Sequence, residues 1–511
     1  MERTNPSRAD QLVQTPVSSV GSPPDPADDG YKWRVLIAVI FGTFMSILDN
    51  TVVNVALRTL QQVFQSDITH TQGVATYYAL SLGIVIPIGA FLADRFGIKR
   101  VYVGSLLAFT AASMLCGLAP SLNALIAFRI LQGLAGGALL PLGIAMLYGA
   151  FPLNQRGLAL SYFGIPVLIA PALGPTLGGY LVEYFDWRLI FFINLPVGLL
   201  GAFVASRFLR ERRSDTVRRF DLPGAVLSVI GFGSLLYAFS NAADQGWTSA
   251  TVLGFLTVGI AGVAAFFLWE LRTDHPLLDV RLYTKRTYLL ASLLGWIAVI
   301  AFFGAGFLLP LYLQTLRGQT PFQAGLLLLP QALAAIVAVQ FSGRLFDRIG
   351  PRYVITVGVV VLAISTWGLV SLTETTPLPF ITALLVVRGF ALSFVIQPTQ
   401  ATALSVVSRD QLTRASSLTN VMRNVFQSLG VAILGTLLQT QGKAPEASRA
   451  PDGFAAYTIA GYHAAYVLAF ALSLIAICLA VFLPTNIQRK PVEARASATG
   501  AGVGAPAPAE T

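Results

Sequence analysis

Apolar residues run almost unbroken through fourteen stretches of the chain, at 33–57, 74–93, 101–119, 122–148, 158–181, 189–208, 222–242, 250–270, 288–313, 322–343, 353–372, 379–406, 416–440 and 461–484. Each has the length, roughly 20 residues, that a helix needs to cross the hydrocarbon core of a bilayer. Charged residues are compressed into the connections between them. Residues 1–30 are rich in Pro, Ser and Asp and reach no apolar stretch before Val35, which predicts a disordered tail and not a cleavable signal peptide. The Ala-, Gly- and Pro-rich stretch after Lys490 predicts a matching tail.

Composition gives the same picture. Of 511 residues, 55% are hydrophobic and only 11% are charged, where soluble domains carry about 25% charge. With a mean hydropathy of +0.69, the chain cannot build the water-facing shell of a soluble enzyme. The net charge of +10 does not mark a nucleic-acid partner, because the basic residues are scattered in short clusters between the apolar runs. Their distribution carries a different message. With both tails on one side, 26 of the 34 Lys and Arg fall on that side, 5 fall on the other, and Arg129, Arg388 and Arg423 lie within spans. By the positive-inside rule the termini are cytoplasmic, and a multi-pass protein of the cell membrane is expected. Cys116 and Cys478 both lie in apolar runs, and His70, His275 and His463 lie in polar connections or at a run's edge. No disulfide framework, metal site or cofactor is expected.

The chain also repeats itself. Residues 92–100, with Asp94-Arg95 and Gly97, are echoed at 345–352 by Asp347-Arg348 and Gly350, the two aspartates 253 apart. Arg129 is echoed by Arg388 and, more weakly, Arg156 by Arg414. These offsets pair span two with span ten and span four with span twelve, so spans seven and eight form an inserted pair between duplicated halves of like orientation. The predicted organisation is a tail at 1–32, a six-helix bundle at 33–208, a linker with two extra helices at 209–287, a second six-helix bundle at 288–484, and a tail at 485–511.

Asp49 is the acidic residue deep inside a span, where a carboxylate costs about 2.5 kcal/mol or more. It lies 16 residues beyond Trp33, about 24 Å of helical rise. Arg129 lies seven residues past Leu122, about 10 Å in from the other side. In a core of roughly 30 Å the two depths agree within a turn. A carboxylate held between desolvation and a partner cation suits reversible protonation, and a permanent structural ion pair is the alternative. Gly174-Pro175 and Gly178-Gly179 put small residues on one face of span five, which permits close helix approach and bending. Polar residues at membrane depth, Asn50, Asn54, Gln132, Gln331, Gln397, Asn420, Arg423 and Asn424, outline a candidate substrate cavity, although each also suits an interhelical hydrogen bond.

These segments together resemble a known family. Residues 89–100, with Gly89, Asp94, Arg95, Gly97, Lys99 and Arg100, are similar to the loop-two/three signature of the major facilitator superfamily. Residues 48–57 resemble the first-span signature of its fourteen-span drug:proton antiporters, with Arg58 where that signature ends in proline. Residues 174–179 resemble the antiporter signature, and 186–198 are similar to the same subgroup. The resemblance implies an all-α integral membrane protein with the major facilitator fold, two six-helix bundles plus two extra central helices. It implies a proton-coupled exporter of lipophilic drugs working by alternating access, with Asp49 and Arg129 as the coupling pair. The Asp94 region, repeated at Asp347 and Arg348, is implied to be a cytoplasmic gate. Expected partners are a small lipophilic substrate, protons driven by their gradient, and membrane lipid; a periplasmic adaptor is not legible. A dedicated exporter of one native metabolite is the rival within transport, and a channel or membrane enzyme the rival outside it. The absence of a P-loop signature and of metal-ligand spacing weighs against the latter.

Overall fold

A computed structural model describes residues 29–66, 68–152, 155–211, 221–274, 276–408, 411–442 and 458–485. The expected disordered tails lie almost wholly outside these residues, as does His275. The first half comprises α1 (Asp29–Val63), α2 (Ile68–Phe96), α3 (Ile98–Gly117), α4 (Leu122–Gly136), α5 (Leu139–Ala150), α6 (Arg156–Tyr184), α7 (Leu189–Phe192) and α8 (Asn194–Phe208). Two helices follow, α9 (Leu222–Gln245) and α10 (Ala250–Arg272), then a short 3-10 turn at Val280–Thr284. The second half comprises α11 (Arg286–Thr315), α12 (Pro321–Ile349), α13 (Pro351–Val370), α14 (Leu378–Ser405), α15 (Leu412–Gly442) and α16 (Ile459–Val481). Among the described residues, 13 segments are long and apolar enough to cross a membrane. The 29-residue α6 completes the fourteen predicted spans.

Two predicted spans are interrupted, and both interruptions have a local cause. Span four breaks between α4 and α5 at Gly137-Ala138, because α4 lies backbone to backbone on α2 there. A Cβ on Gly137 would collide with the Val85 side chain and the Leu82 carbonyl, and one on Gly133 would lie 2.5 Å from the Tyr78 carbonyl. Span six breaks at Ile193 between α7 and α8; Pro196 has no N–H to offer the Phe192 carbonyl, so the helical ladder loses a rung. Helix α1 begins at Asp29, inside the expected tail.

Helix ends follow capping chemistry. Ser121 caps α4, Ser249 caps α10, and Thr320 with Gln323 forms a capping box on α12. The repeated turns after α2 and α12 both pass through a glycine at positive φ, Gly97 at 98° and Gly350 at 86°, where an L side chain would be strained.

Packing repeats the internal duplication. In the first half α1 packs on α6 and α8, α2 on α4, and α3 on α4 and α8; in the second, α11 packs on α15 and α16, α12 on α14, and α13 on α14 and α16. The halves meet along two seams, α6 with α12 and α2 with α15. The inserted α9 lies against both α2 and α15, and α10 packs on α9. The starts of α1 and α6 and the ends of α5 and α8 gather on one side. There Lys32 Nζ donates to Gln155 Oε1 (2.9 Å) and Trp33 meets the rings of Phe151 and Tyr162 edge-on. The connections rich in Lys and Arg emerge on this side, termed here the basic face.

Candidate functional site

Asp49 and Arg129 meet inside the first bundle. Arg129 Nη1 donates to Asp49 Oδ2 at 2.5 Å, and both side chains are fully shielded from solvent. The other carboxylate oxygen, Oδ1, accepts from Gln132 Nε2 (2.9 Å) and Asn194 Nδ2 (2.8 Å). Gln132 Oε1 in turn accepts from Arg129 Nη1 (2.7 Å), and Arg129 Nε donates to the Val74 carbonyl (3.2 Å). The guanidinium lies 3.8 Å from the centroid of the buried Tyr78 ring. Asn194 also donates to Ser113 Oγ (3.0 Å). Helices α1, α2, α3, α4 and α8 thus converge on one carboxylate. Three donors, one of them a cation, offset its desolvation, which is what a charge at this depth requires.

The antiporter-like glycines of α6 lie against α1 just beyond Asp49. A Cβ on Gly174 would collide with the Thr51 side chain and sit 3.0 Å from the Thr51 carbonyl carbon; one on Gly178 would lie 3.1 Å from the Val52 carbonyl oxygen. Thr51 Oγ1 lies 3.2 Å from the Ala170 carbonyl across the same contact. Gly179 is buried nearby, and the Pro175 side chain is outside the described residues. These glycines let two backbones approach within the turn that follows the acid.

At the basic face the halves are joined across both seams. Arg414 Nη2, in the first turn of α15, donates to Asp94 Oδ2 at the end of α2 (2.7 Å). In the pseudo-equivalent position, the Asp347 carboxylate at the end of α12 lies over the first turn of α6, 2.9 Å from where a Cβ on Gly157 would sit. Deeper in, Ser416 Oγ donates to the Pro141 carbonyl (3.0 Å), and Gln397 packs against Gly164. Gly89 seats α2 on the start of α5, its Cβ position 2.7 Å from Ala138 Cβ. Arg95, Arg100 and Arg348 are exposed. The Lys99 backbone N–H donates to Glu211 (3.2 Å), which also faces Arg100. At this face the contacts between the halves run from the two aspartates to the starts of α15 and α6.

Among the residues expected on a cavity wall, Arg423 lines a pocket between α11, α14 and α15. Gln132 lies three residues after Arg129 on the same helix face, and its amide is hydrogen-bonded to both members of the Asp49–Arg129 pair. Asn420 is likewise buried and donates to the Ser416 carbonyl. Gln397 is buried at the seam with α6; Asn50, Gln331 and Asn424 are half-buried, and the Asn54 side chain lies outside the described residues.

A sequence model of the Major Facilitator Superfamily matches residues 39–431. The chain belongs to that superfamily. It is 34% identical over 452 residues to the multidrug resistance protein B homolog of Mycobacterium tuberculosis H37Rv, covering 85% of this chain and 82% of the relative. It is 34% identical over 405 residues to the multidrug export protein EmrB of Escherichia coli K12, covering 78% of this chain and 79% of the relative. Among solved structures, that of the human organic anion transporter MFSD10 superposes with a TM-score of 0.64 at 15% identity, covering 90% of this chain and 100% of that one, a likeness of fold alone.

As a major facilitator protein the chain is a multi-pass membrane transporter and not an enzyme. Sequence reasoning missed Asn194 and Tyr78 as partners of the Asp49–Arg129 pair. Asn194 stood inside a recognised segment and was a polar residue in an apolar run, which was the available signal. The second half offers a telling contrast. Arg388, the echo of Arg129, donates to the Phe302 carbonyl (2.7 Å) and to Thr366 Oγ1 (3.3 Å) and lies over the Phe302 ring. Phe302 stands 253 residues after Asp49, so the repeat has an aromatic ring in place of the acid.

Proposed function

We propose that this transporter exports lipophilic compounds in exchange for protons by alternating access, with Asp49 as the proton-carrying group. The observation that carries this reading is the buried carboxylate inside α1 whose donors all come from other helices, α4 and α8. Such a group can lose its partners only if helices move, and so it can couple protonation to a change of shape. The Arg129 cation and the Gln132 and Asn194 amides hold the ionised form while the site is sealed. Protonation removes the anion that Arg129 pairs with and frees α1 to shift against α4 and α8.

The basic face, taken as cytoplasmic from the Lys and Arg asymmetry, is latched in this conformation by Asp94–Arg414 and by Asp347 over α6. The cavity then faces outward, as it would after release of substrate. No cofactor enters the cycle; the proton gradient supplies the drive, about 2.3 kcal/mol per charge per 100 mV plus the pH term. Relatives named for multidrug export support lipophilic substrates.

The test is uphill efflux of ethidium from proteoliposomes under an imposed pH gradient, wild type against Asp49→Asn. The amide nearly keeps the packing but cannot cycle a proton, so uphill efflux should vanish while downhill exchange persists. Undiminished uphill efflux in Asp49→Asn would make the pair structural.

A further inference from the structure

Three arginines lie within the membrane spans, and two are accounted for. Arg129 has its carboxylate and Arg388 has a carbonyl, a hydroxyl and a ring. Arg423, on α15, has no hydrogen bond, ion pair or ring contact among the described residues. A guanidinium left so at membrane depth is costly, and such groups face a partner or a functional cavity.

The cavity beside Arg423 is built to supply donors. Ser292, Trp296, Thr399, Gln400 and Thr419 share its wall. Gln400 Nε2 and Thr399 Oγ1 are buried without a hydrogen-bond partner, on side chains only 7% and 5% exposed. By contrast, Thr402 and Thr419 on the same helices return their hydroxyls to the carbonyls four residues back. No carboxylate lines the cavity. Arg423, Gln400 and Thr399 therefore bring a fork of N–H groups, an amide N–H and a hydroxyl to the wall of one pocket whose lining holds no acidic acceptor. Trp296 stacks on Phe426 at 4.7 Å and gives the space a rigid aromatic wall.

We propose that this cavity is a subsite for amphiphilic organic anions, with Arg423 forked onto a carboxylate or sulfonate, Gln400 and Thr399 completing its hydrogen bonds, and the apolar body lying against Trp296. The site deepens the export reading by naming a substrate class and rests on that reading for its role in transport. A planar anion uses the bidentate geometry of guanidinium. A neutral amide of the same shape offers one uncharged acceptor oxygen in place of two charged ones, which is where discrimination arises.

The test uses the purified full chain in phosphatidylcholine nanodiscs, titrated calorimetrically with 2-naphthoate and with its neutral counterpart 2-naphthamide. Naphthoate should bind roughly tenfold or more tightly than the amide, the difference expected for hydrogen bonds to a charged group. Arg423→Gln should erase that preference while keeping naphthamide binding, and Arg423→Lys should restore part of it. Gln400→Glu guards against a folding artefact, because it supplies the missing acid from the protein itself. That variant should melt at a higher temperature and bind naphthoate roughly tenfold more weakly. Equal affinity for the two probes in the wild type, or unchanged naphthoate binding in Gln400→Glu, would overturn the subsite. Competitive loss of naphthoate binding when part of the lipid is replaced by phosphatidylglycerol would assign the cavity to a lipid headgroup and overturn the substrate assignment. Binding is measured without a pH gradient, so failed proton coupling would leave it intact, and a missing anion preference would leave ethidium efflux intact.

Discussion

Asn194 Nδ2 donates to Asp49 Oδ1 at 2.8 Å across 145 residues of sequence, and the same nitrogen reaches Ser113 Oγ at 3.0 Å. One amide at the start of α8 thus ties α1 and α3 together through the Asp49 carboxylate. Asn194→Ala should lower stability by about 1.5–3 kcal/mol, the usual cost of removing a hydrogen bond to a charged group. Asn194→Asp should be worse, because it sets a second anion beside the first. Thermal melting in detergent measures the order, and an Asp variant as stable as the Ala variant would mean Asn194 does not face an ionised Asp49.

The Asp49–Arg129 pair makes a second demand on stability. Arg129→Ala strands a buried carboxylate and should cost about 3–5 kcal/mol. Arg129→Lys keeps the charge but loses the fork, and should fall between the wild type and Arg129→Ala. Combining Arg129→Gln with Asp49→Asn removes both charges, so the double variant should melt above Arg129→Gln alone while remaining unable to pump uphill. A double variant no more stable than the single one would show that the charges are not coupled.

For the latch, Asp94→Ala should slow exchange more than Asp347→Ala, because the second copy of the turn has Pro351 in place of the Ile98-Lys99 pair. Swapping the pair, Asp94→Arg with Arg414→Asp, should recover part of the lost rate. Exchange of labelled substrate across proteoliposomes reads the effect, and a swap no faster than Asp94→Ala would remove Arg414 as the partner.

The α1–α6 contact predicts an ordering of glycine variants. Gly174→Ala pushes into the Thr51 side chain and backbone, whereas Gly178→Ala meets Val52 at 3.0–3.3 Å. Overpacking should cost about 1–3 kcal/mol, with Gly174→Ala the larger. Equal melting temperatures for the two would contradict the close approach at Thr51.

Topology is tested by labelling in intact cells after replacing Cys116 and Cys478 by serine. An impermeant maleimide should modify a cysteine introduced at Gln245, where α9 ends on the opposite face, and spare one at Arg281. The reverse pattern would invert the whole molecule in the membrane.

Much of this architecture is legible in the chain because the bilayer imposes simple rules. Depth counting alone set Asp49 and Arg129 at one level, since a helix rises by a fixed amount per residue and the core has a fixed thickness. The basic loops carried the sidedness argument by charge alone. Lateral relationships are harder, because rise says nothing about which helix is the neighbour. Gln132 was assigned to a cavity although its spacing from Arg129 placed both on one face. The echo of Arg156 in Arg414 was visible, but its meaning required knowing that α15 crosses to meet Asp94 in the other half. Asn194 was hidden by the break at Ile193, which a run of apolar residues does not announce.

The inserted pair gives the molecule two unlike flanks in the plane of the membrane. Ile84 packs 3.2 Å from the Cβ position of Gly233 on α9, and Trp247 Nε1, just beyond that helix, donates to Thr436 Oγ1 of α15 at 2.7 Å. The seam of α2 and α15 is therefore buttressed along its length, while among the described residues the seam of α6 and α12 has no such cover. Any rocking of one half against the other must slide α9 over α2 or α15, so that flank behaves as a hinge plate. On the other flank the two halves meet directly, α6 on α12, with no third helix between them and the lipid among the described residues.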